Sequence, residues 1–247
     1  MITIKSHKEV AYMREAGKIV SGTFDVLRKA IRPGITTKEL DRIACDFIKS
    51  HDATPSFLGY EGFPGSICAS INDQVIHGIP DRTKLKEGDI ISIDIGACYK
   101  GYHGDSAKTF PVGKISEEAK KLIAVTRQSF YEGIAYARRG NRISDMSAAI
   151  QTYVEKNGFS VVRDYTGHGV GEHLHEDPSI LNYGRPGRGP RMMAGMTLAV
   201  EPMVNAGGHA VYVADNDWTV YTQDGSLAAH YEHTILITDG ECEILTR

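Results

Sequence analysis

Apolar residues recur at helical spacing in four stretches of the chain. Val10, Met13, Val20, Phe24, Leu27 and Ile31 follow one another at steps of three, four or seven, the mark of an amphipathic helix. Ser6-His7-Lys8-Glu9 ahead of them has the form of a capping box, and Arg32-Pro33-Gly34 stops the run. A second helix opens near Thr36, with Glu39 three residues on and Leu40, Ile43, Phe47 and Ile48 along one face. The pattern then returns. Ser116 caps a helix bearing Leu122, Ile123, Val125, Phe130 and Ile134, ending at Arg139-Gly140. Ser144 caps another, with Met146, Ile150, Tyr153 and Val154 inward and Asn157-Gly158 as its stop.

After each helix pair come strand-like, β-branched segments, and each set contains an embedded acid: ISID at 91–94 and LAVE at 198–201. Leu40, Phe47 and Ile48 each have an apolar counterpart 106 positions later, at Met146, Tyr153 and Val154. The spacing predicts an internally duplicated α/β (α+β) chain, helix-helix-strands twice over. Residues 1–247 form a single domain with halves near 1–110 and 111–247. One curved, mostly antiparallel sheet carries the helices on its outer face. The alternative is chance likeness between two amphipathic pairs.

Composition changes this picture little. An apolar fraction of 41% with 24% charged residues is ordinary for a globular chain. Lys and Arg number 28 against 31 Asp and Glu, a net charge of −3 without a basic block. That balance argues against a dedicated nucleic-acid or membrane-surface binder, while leaving room for a local basic patch. Cys45, Cys68, Cys98 and Cys242 are scattered, which suits reduced thiols in the cytoplasm. The start, MITIKSHKEV, lacks a basic n-region and an apolar core, and no apolar run approaches the roughly 18 residues of a membrane span.

Two acids change the picture more. Asp94 sits among Ile90, Ile91, Ile93 and Ile95, where a lone carboxylate is costly to bury, and Asp105 falls on the return strand of a hairpin. A loop at Tyr99-Lys100, or at Cys98 to Gly101, places Asp94 directly opposite Asp105. Their Cβ atoms are then about 4.5–5.5 Å apart on one face. Like charges in that register need a proton or a cation between them. Otherwise Asp105 lies beyond the strand in water and Asp94 caps a turn at Gly96.

Two more acids lie in strand-like surroundings of the second half, Glu201 in TLAVEP and Glu232 in HYEHTILIT. Between them runs TGHGVGEHLHEDP, where Gly167 and Gly169 flank His168, and His173 and His175 share a face if the segment is extended. One imidazole with four carboxylates is a ligand set for two divalent ions, with Mn(II), Fe(II), Co(II) or Zn(II) favoured over Ca or Mg. No CxxC, HExxH, DxDxDG, GxSxG or GxxxxGK[ST] motif is present, so zinc-finger, zincin, EF-hand, hydrolase-elbow and P-loop readings fail.

With INDQVIHGIP, SIDIGACYKGYHGD, TGHGVG, VEP and YEHT in this order, the chain closely resembles the type I methionine aminopeptidases. The resemblance implies the pita-bread α/β fold, a duplicated sheet whose concave face holds two metals. It implies that Asp94 chelates one metal, that Asp105 and Glu232 bridge both, and that His168 and Glu201 complete the other. Glu201 is also the proton acceptor. His77 contacts the scissile amide and His175 the substrate carbonyl, whereas His173 has no assigned role. Tyr60, Phe63, Cys68, Leu174 and Trp218 line the methionine pocket, with Phe57 close by. The implied activity is removal of N-terminal methionine from newly made proteins when the second residue is small, by attack of a metal-bridging hydroxide on the first peptide bond. Implied substrates are nascent polypeptide N-termini, the ribosome is a setting for the reaction, and the enzyme is a cytoplasmic monomer.

Three rivals remain at this level. A prolidase or aminopeptidase P shares the fold and metals but generally carries an additional N-terminal domain. A non-catalytic peptide-binding module loses ligands that this chain keeps. A metal-free dyad of Asp94 and Asp105 leaves His168, Glu201 and Glu232 without purpose.

Overall fold

A computed structural model describes residues 1–247. Ser6 caps α1 (His7–Ala30) and Thr36 caps α2 (Thr37–Lys49). Both are reciprocal boxes: Glu9 accepts from the Ser6 N–H at 2.6 Å, and Glu39 from the Thr36 N–H at 2.8 Å. Ser116 likewise starts α3 (Glu117–Ile134), but the helix stops well before Arg139-Gly140. Its last turn tightens to bonds three residues back, from Tyr136 N to the Gly133 carbonyl and from Ala137 N to that of Ile134. This tucks Ala137 into the core. α4 (Ile143–Lys156) begins at Arg142 rather than at Ser144. Asp145 accepts the Arg142 N–H at 2.7 Å, and the Ser144 hydroxyl donates instead to the Arg188 carbonyl at 2.8 Å. That partner is 44 residues away, outside any local signal.

The strands of the first half are β1 (Thr54–Pro55), β2 (Cys68–Ile71), β3 (Gln74–Ile76), β4 (Ile90–Tyr99) and β5 (Tyr102–Pro111). After α4 come β6 (Ser160–Val161), β7 (Gly167–Gly169), β8 (Glu176–Ile180), β9 (Thr197–Val200) and β10 (Met203–Asn205). The last are β11 (Val211–Val213), β12 (Val220–Thr222), β13 (Ala228–His230), β14 (His233–Leu236) and β15 (Glu243–Ile244). They form four antiparallel ladders: β1-β4-β2 with β5 beside β4, β13-β10-β6, β11-β12-β3, and β15-β14-β9-β7-β8.

The β4–β5 register differs from the expected one. Tyr99 pairs with Tyr102, so the turn is Lys100-Gly101, with φ of 51° and 84°. Two positive φ values in a two-residue loop are the requirement of a type I′ turn, which suits the twist of a hairpin. Asp94 therefore stands opposite Ala107, and Asp105 opposite Gly96. The two acids still share a face, as diagonal neighbours two pairs apart.

That register aligns a row across the molecule. Cys68 pairs with Asp94, Asp94 with Ala107, and Ala107 exchanges two backbone hydrogen bonds with Glu232 at 2.8 and 3.3 Å. Directly paired residues point to one face, so the Cys68, Asp94 and Glu232 side chains converge although drawn from both ends of the chain. The opposite face is apolar. Ile91, Ile93 and Ile95 pack with Val20, Phe24, Leu27, Leu40 and Ile48 of α1 and α2 in one core. Leu198, Val200 and Ile235 pack with Leu122, Phe130, Met146 and Ile150 of α3 and α4 in another. Each helix pair thus covers its own core, with the acids on the uncovered side. No helix is long and apolar enough to cross a membrane, and all four thiols are free.

Candidate active site

The paired strands deliver four carboxylates to one place. Asp105, Glu201 and Glu232 are 3%, 9% and 1% exposed, and Asp94 opens only towards the cleft they line. Their only cationic-type neighbours within 4.0 Å are imidazoles. His168 Nε2 lies 3.4 Å from Glu201 Oε1 and 3.8 Å from Asp105 Oδ2. No Lys or Arg reaches the cluster. Burial raises all four carboxyl groups above the usual range. Repulsion from Asp105 adds to the shift of Asp94, Glu201 and Glu232.

Such a cluster is unstable as four bare anions. Asp94 Oδ1, Asp105 Oδ1 and Glu232 Oε1 are buried without any hydrogen-bond partner. The donor set and these orphaned oxygens fit divalent cations.

His168 is prepared for the same task. Its Nδ1 donates to the Gly169 carbonyl at 2.8 Å, which leaves the Nε2 lone pair facing the acids. Burial holds its pKa down at about 3, so the ring is neutral. The flanking glycines serve the strands rather than a ligand. A Cβ at Gly167 would meet the Ala199 carbonyl oxygen at 2.4 Å, and one at Gly169 that of Asp177 at 2.1 Å. Only glycine lets β7 lie this close to β8 and β9.

The acids and an apolar wall together line one cavity of 190 Å³. That is smaller than the roughly 300–1,000 Å³ that holds a drug-sized ligand. Phe57, Phe63, Cys68 and Leu174 form its apolar wall, with Tyr60, Ile79 and Trp218 packed against them. All the pocket residues expected from the sequence are thus brought together. Helix α2 helps to hold the wall, because Asp41 accepts from the Ser66 and Ile67 N–H groups at 2.6 and 3.1 Å. Burial, and then Asp94 beside it, keep the Cys68 thiol protonated.

His77 and His175 both line the cleft. His77 has φ of 57°, a left-handed conformation held against an ordinary preference. Its ring packs edge-on against Tyr165 at 5.9 Å and Trp218 at 6.3 Å. His175 keeps open surface at the mouth, and its Nδ1 lies 2.8 Å from the Tyr60 hydroxyl. Residues 171–175 are a series of bends, not a strand, so His173 does not share the cleft.

Comparison with known proteins now decides the family. The model of metallopeptidase family M24 matches residues 11–239. The chain belongs to that family. Across it, a methionine aminopeptidase of Clostridium acetobutylicum is 60% identical, with 100% of this chain and 99% of that protein covered. Methionine aminopeptidase 1 of Bacillus subtilis is 58% identical, with both chains covered in full. The crystal structure of methionine aminopeptidase from Rickettsia prowazekii superposes with a TM-score of 0.99 at 45% identity, over 100% of both chains. The architecture is accordingly the pita-bread fold of this family.

One residue aimed at the cluster was missed in the sequence. His230, 2% exposed, points Nε2 to within 3.7 Å of Glu201 Oε2 and 3.9 Å of Glu232 Oε2. That nitrogen is buried without a hydrogen-bond partner. The available signal was alternation, since His230 stands two residues before Glu232 in a strand-like run. Glu61, Ile76, Tyr165 and Thr166 also line the cleft; Ile76 lies within INDQVIHGIP, Thr166 opens TGHGVG and Tyr165 precedes it.

Proposed function

We propose that Asp94, Asp105, His168, Glu201 and Glu232 hold two divalent cations, as a metallopeptidase of this family requires. Residues 1–247 act as one catalytic domain. The half near 1–110 supplies Asp94 and Asp105, and the half near 111–247 supplies the other three. The activity is that of a methionyl aminopeptidase, the removal of N-terminal methionine from proteins. The observation that carries the site assignment is convergence: four carboxylates distant in sequence, three of them with a buried oxygen that lacks a hydrogen-bond partner, border an apolar wall.

Cations bound there supply Lewis acidity and lower the pKa of water towards neutrality. The protein groups do the rest. Asp94 would hold one cation, Asp105 and Glu232 would contribute to both, and His168 and Glu201 would complete the second. Tyr60, Phe63, Cys68, Leu174 and Trp218, with Phe57, take the methionine side chain, where a thioether suits an aromatic wall. Glu201 accepts the proton of the attacking water and passes it to the leaving amine. His175 donates to the substrate carbonyl as it gains charge, and His77 orients the amide. A free α-amino group would be needed beside the acids, so only the first peptide bond comes within reach.

Mn(II), Fe(II), Co(II) and Zn(II) all suit one imidazole with four carboxylates, and availability chooses among them. The substrates are N-termini of newly made chains, processed in the cytoplasm and at the ribosome by a monomer, when the second residue is small. Turnover of Met-Ala-Ser beside an X-Pro dipeptide, with and without chelator, tests this reading. Cleavage of the first alone, lost on chelation and restored by a divalent ion, is expected. Preference for the X-Pro substrate would make it a prolidase.

A further inference from the structure

A face of the molecule outside the cleft has a distinct charge. Arg138, Arg139 and Arg142 lie between α3 and α4, and Arg185, Arg188 and Arg191 lie in the loop GRPGRGPR before β9. Tertiary folding joins these segments into one surface. Ile143 N donates to the Pro190 carbonyl at 3.1 Å, Met192 N to Asn141 at 2.8 Å, and Gly140 N to Met192 at 3.0 Å. Residues 138–145 and 184–193 together hold six arginines, one aspartate and no lysine, a local charge of +5. Since the whole chain carries −3, the other residues carry −8. The overall balance therefore averages over this surface and conceals it.

The arginines are arranged without being neutralised. Only Arg139 has a carboxylate partner, Asp239 at 2.7 Å. Arg142 and Arg191 donate to the Gly189 and Gly140 carbonyls at 2.6 and 3.0 Å, which orders the guanidinium groups and leaves their charge uncompensated. Arg185 and Arg188 extend from an exposed loop in which Gly184, Gly187 and Gly189 all have positive φ. The one acid within the surface, Asp145, is occupied with the Arg142 and Gly187 N–H groups. Tyr136, 48% exposed, stands beside Arg138 and offers a ring face.

Arginine rather than lysine, grouped on two hydrogen-bonded segments with an open aromatic ring, is the chemistry that recognises phosphates and stacks on a base. We propose that this arginine surface binds the phosphate backbone of folded RNA. None of its residues lines the cleft, so RNA bound there leaves the cleft residues free for a peptide. The proposal rests on this surface alone and not on the peptidase assignment.

The test is fluorescence anisotropy of the full chain with a labelled RNA hairpin of roughly 20 base pairs, long enough to present more than one groove. With about five phosphate contacts, log Kd should change with log salt with a slope near 4, weakening affinity on the order of 10²-fold between 50 and 200 mM salt. R185E/R188E/R191E should weaken binding at least 30-fold and flatten the slope to about 1. K18E/K29E/K49E, an equal change of net charge on exposed residues of α1 and α2, should weaken it less than threefold. Turnover of Met-Ala-Ser, followed in parallel, should be unaltered in both variants. No binding at low salt, equal losses in the two triple variants, or preference for vesicles rich in phosphatidylglycerol or for polyglutamate over RNA would each overturn the proposal.

Discussion

The Tyr60 hydroxyl lies 2.8 Å from Nδ1 of His175, although 115 residues separate the two in sequence. With the phenol as donor, Nδ1 accepts, and the ring proton is placed on Nε2, available to a substrate carbonyl. Burial lowers the His175 pKa, which keeps the ring neutral and this tautomer meaningful at pH 7. One such bond is worth about 1 kcal/mol, so Tyr60→Phe should lower kcat/KM for Met-Ala-Ser roughly five- to tenfold. His175→Ala removes the donor itself and should cost about 10²- to 10³-fold. Steady-state kinetics decide; wild-type rates in Tyr60→Phe would mean that the phenol does not orient the imidazole.

The cluster predicts how the metal-free protein responds to pH. Each carboxyl whose folded pKa is raised contributes stability below its unfolded value, about 4, and loses it as pH rises through the folded value, about 7 for Asp105. Burial depresses His168 and His230 to about 3 and His77 to about 4. Depressed imidazoles act in the other sense, costing stability only below their unfolded value of about 6.5. Between about pH 6.5 and 8 the carboxyl effect therefore acts alone, and the Tm of chelator-treated protein should fall across that range. Mn(II) should raise Tm far more at about pH 7.5 than at about pH 5.5. Thermal melts with and without the ion would refute this if the metal-free Tm were flat or rising.

Asp105 sits at the centre of the repulsion, and its removal should separate stability from function. Asp105→Asn relieves a buried like charge, so the metal-free Tm should be unchanged or higher. The same variant should lose the rise in Tm on adding metal and at least about 10³-fold in turnover. Paired melts and kinetics test the dissociation; a large fall in the metal-free Tm would show that Asp105 is structural.

His230 reaches Glu201 and Glu232 without any other partner for its Nε2. At 3.7 and 3.9 Å its Nε2 is beyond hydrogen-bond reach of either carboxylate. Its part is to pack beside two proposed metal ligands and hold their position, and losing such outer support typically costs about 10- to 100-fold in metal affinity. His230→Ala should show that loss by calorimetric titration with Mn(II), and His230→Gln should recover part of it. Equal affinity in all three proteins would remove His230 from the site.

Much of this was open to reading in the sequence. Helix starts were legible at Ser6, Thr36 and Ser116 because a capping side chain bonds within three residues of itself. The acids stood out at Asp94 and Glu201 because a carboxylate in a β-branched run has no solvent to reach. Helix ends and the start of α4 were not legible, since Ala137 answers to the core and Ser144 to Arg188, 44 residues on. The hairpin register hinged on one turn, and a shift of one residue there changes every pairing.

By itself the sequence determined which residues could carry the chemistry: five ligand-type side chains, two further histidines and an aromatic stretch, each set in a strand or turn by local pattern. Only the tertiary structure decided their company. It brought Glu232 across from Ala107 beside Asp94, added His230 to the acids, separated His175 from His173, and gathered six arginines into one surface. Local pattern acts through bonds a few residues long, whereas these meetings depend on chain closure between halves that pack over separate cores.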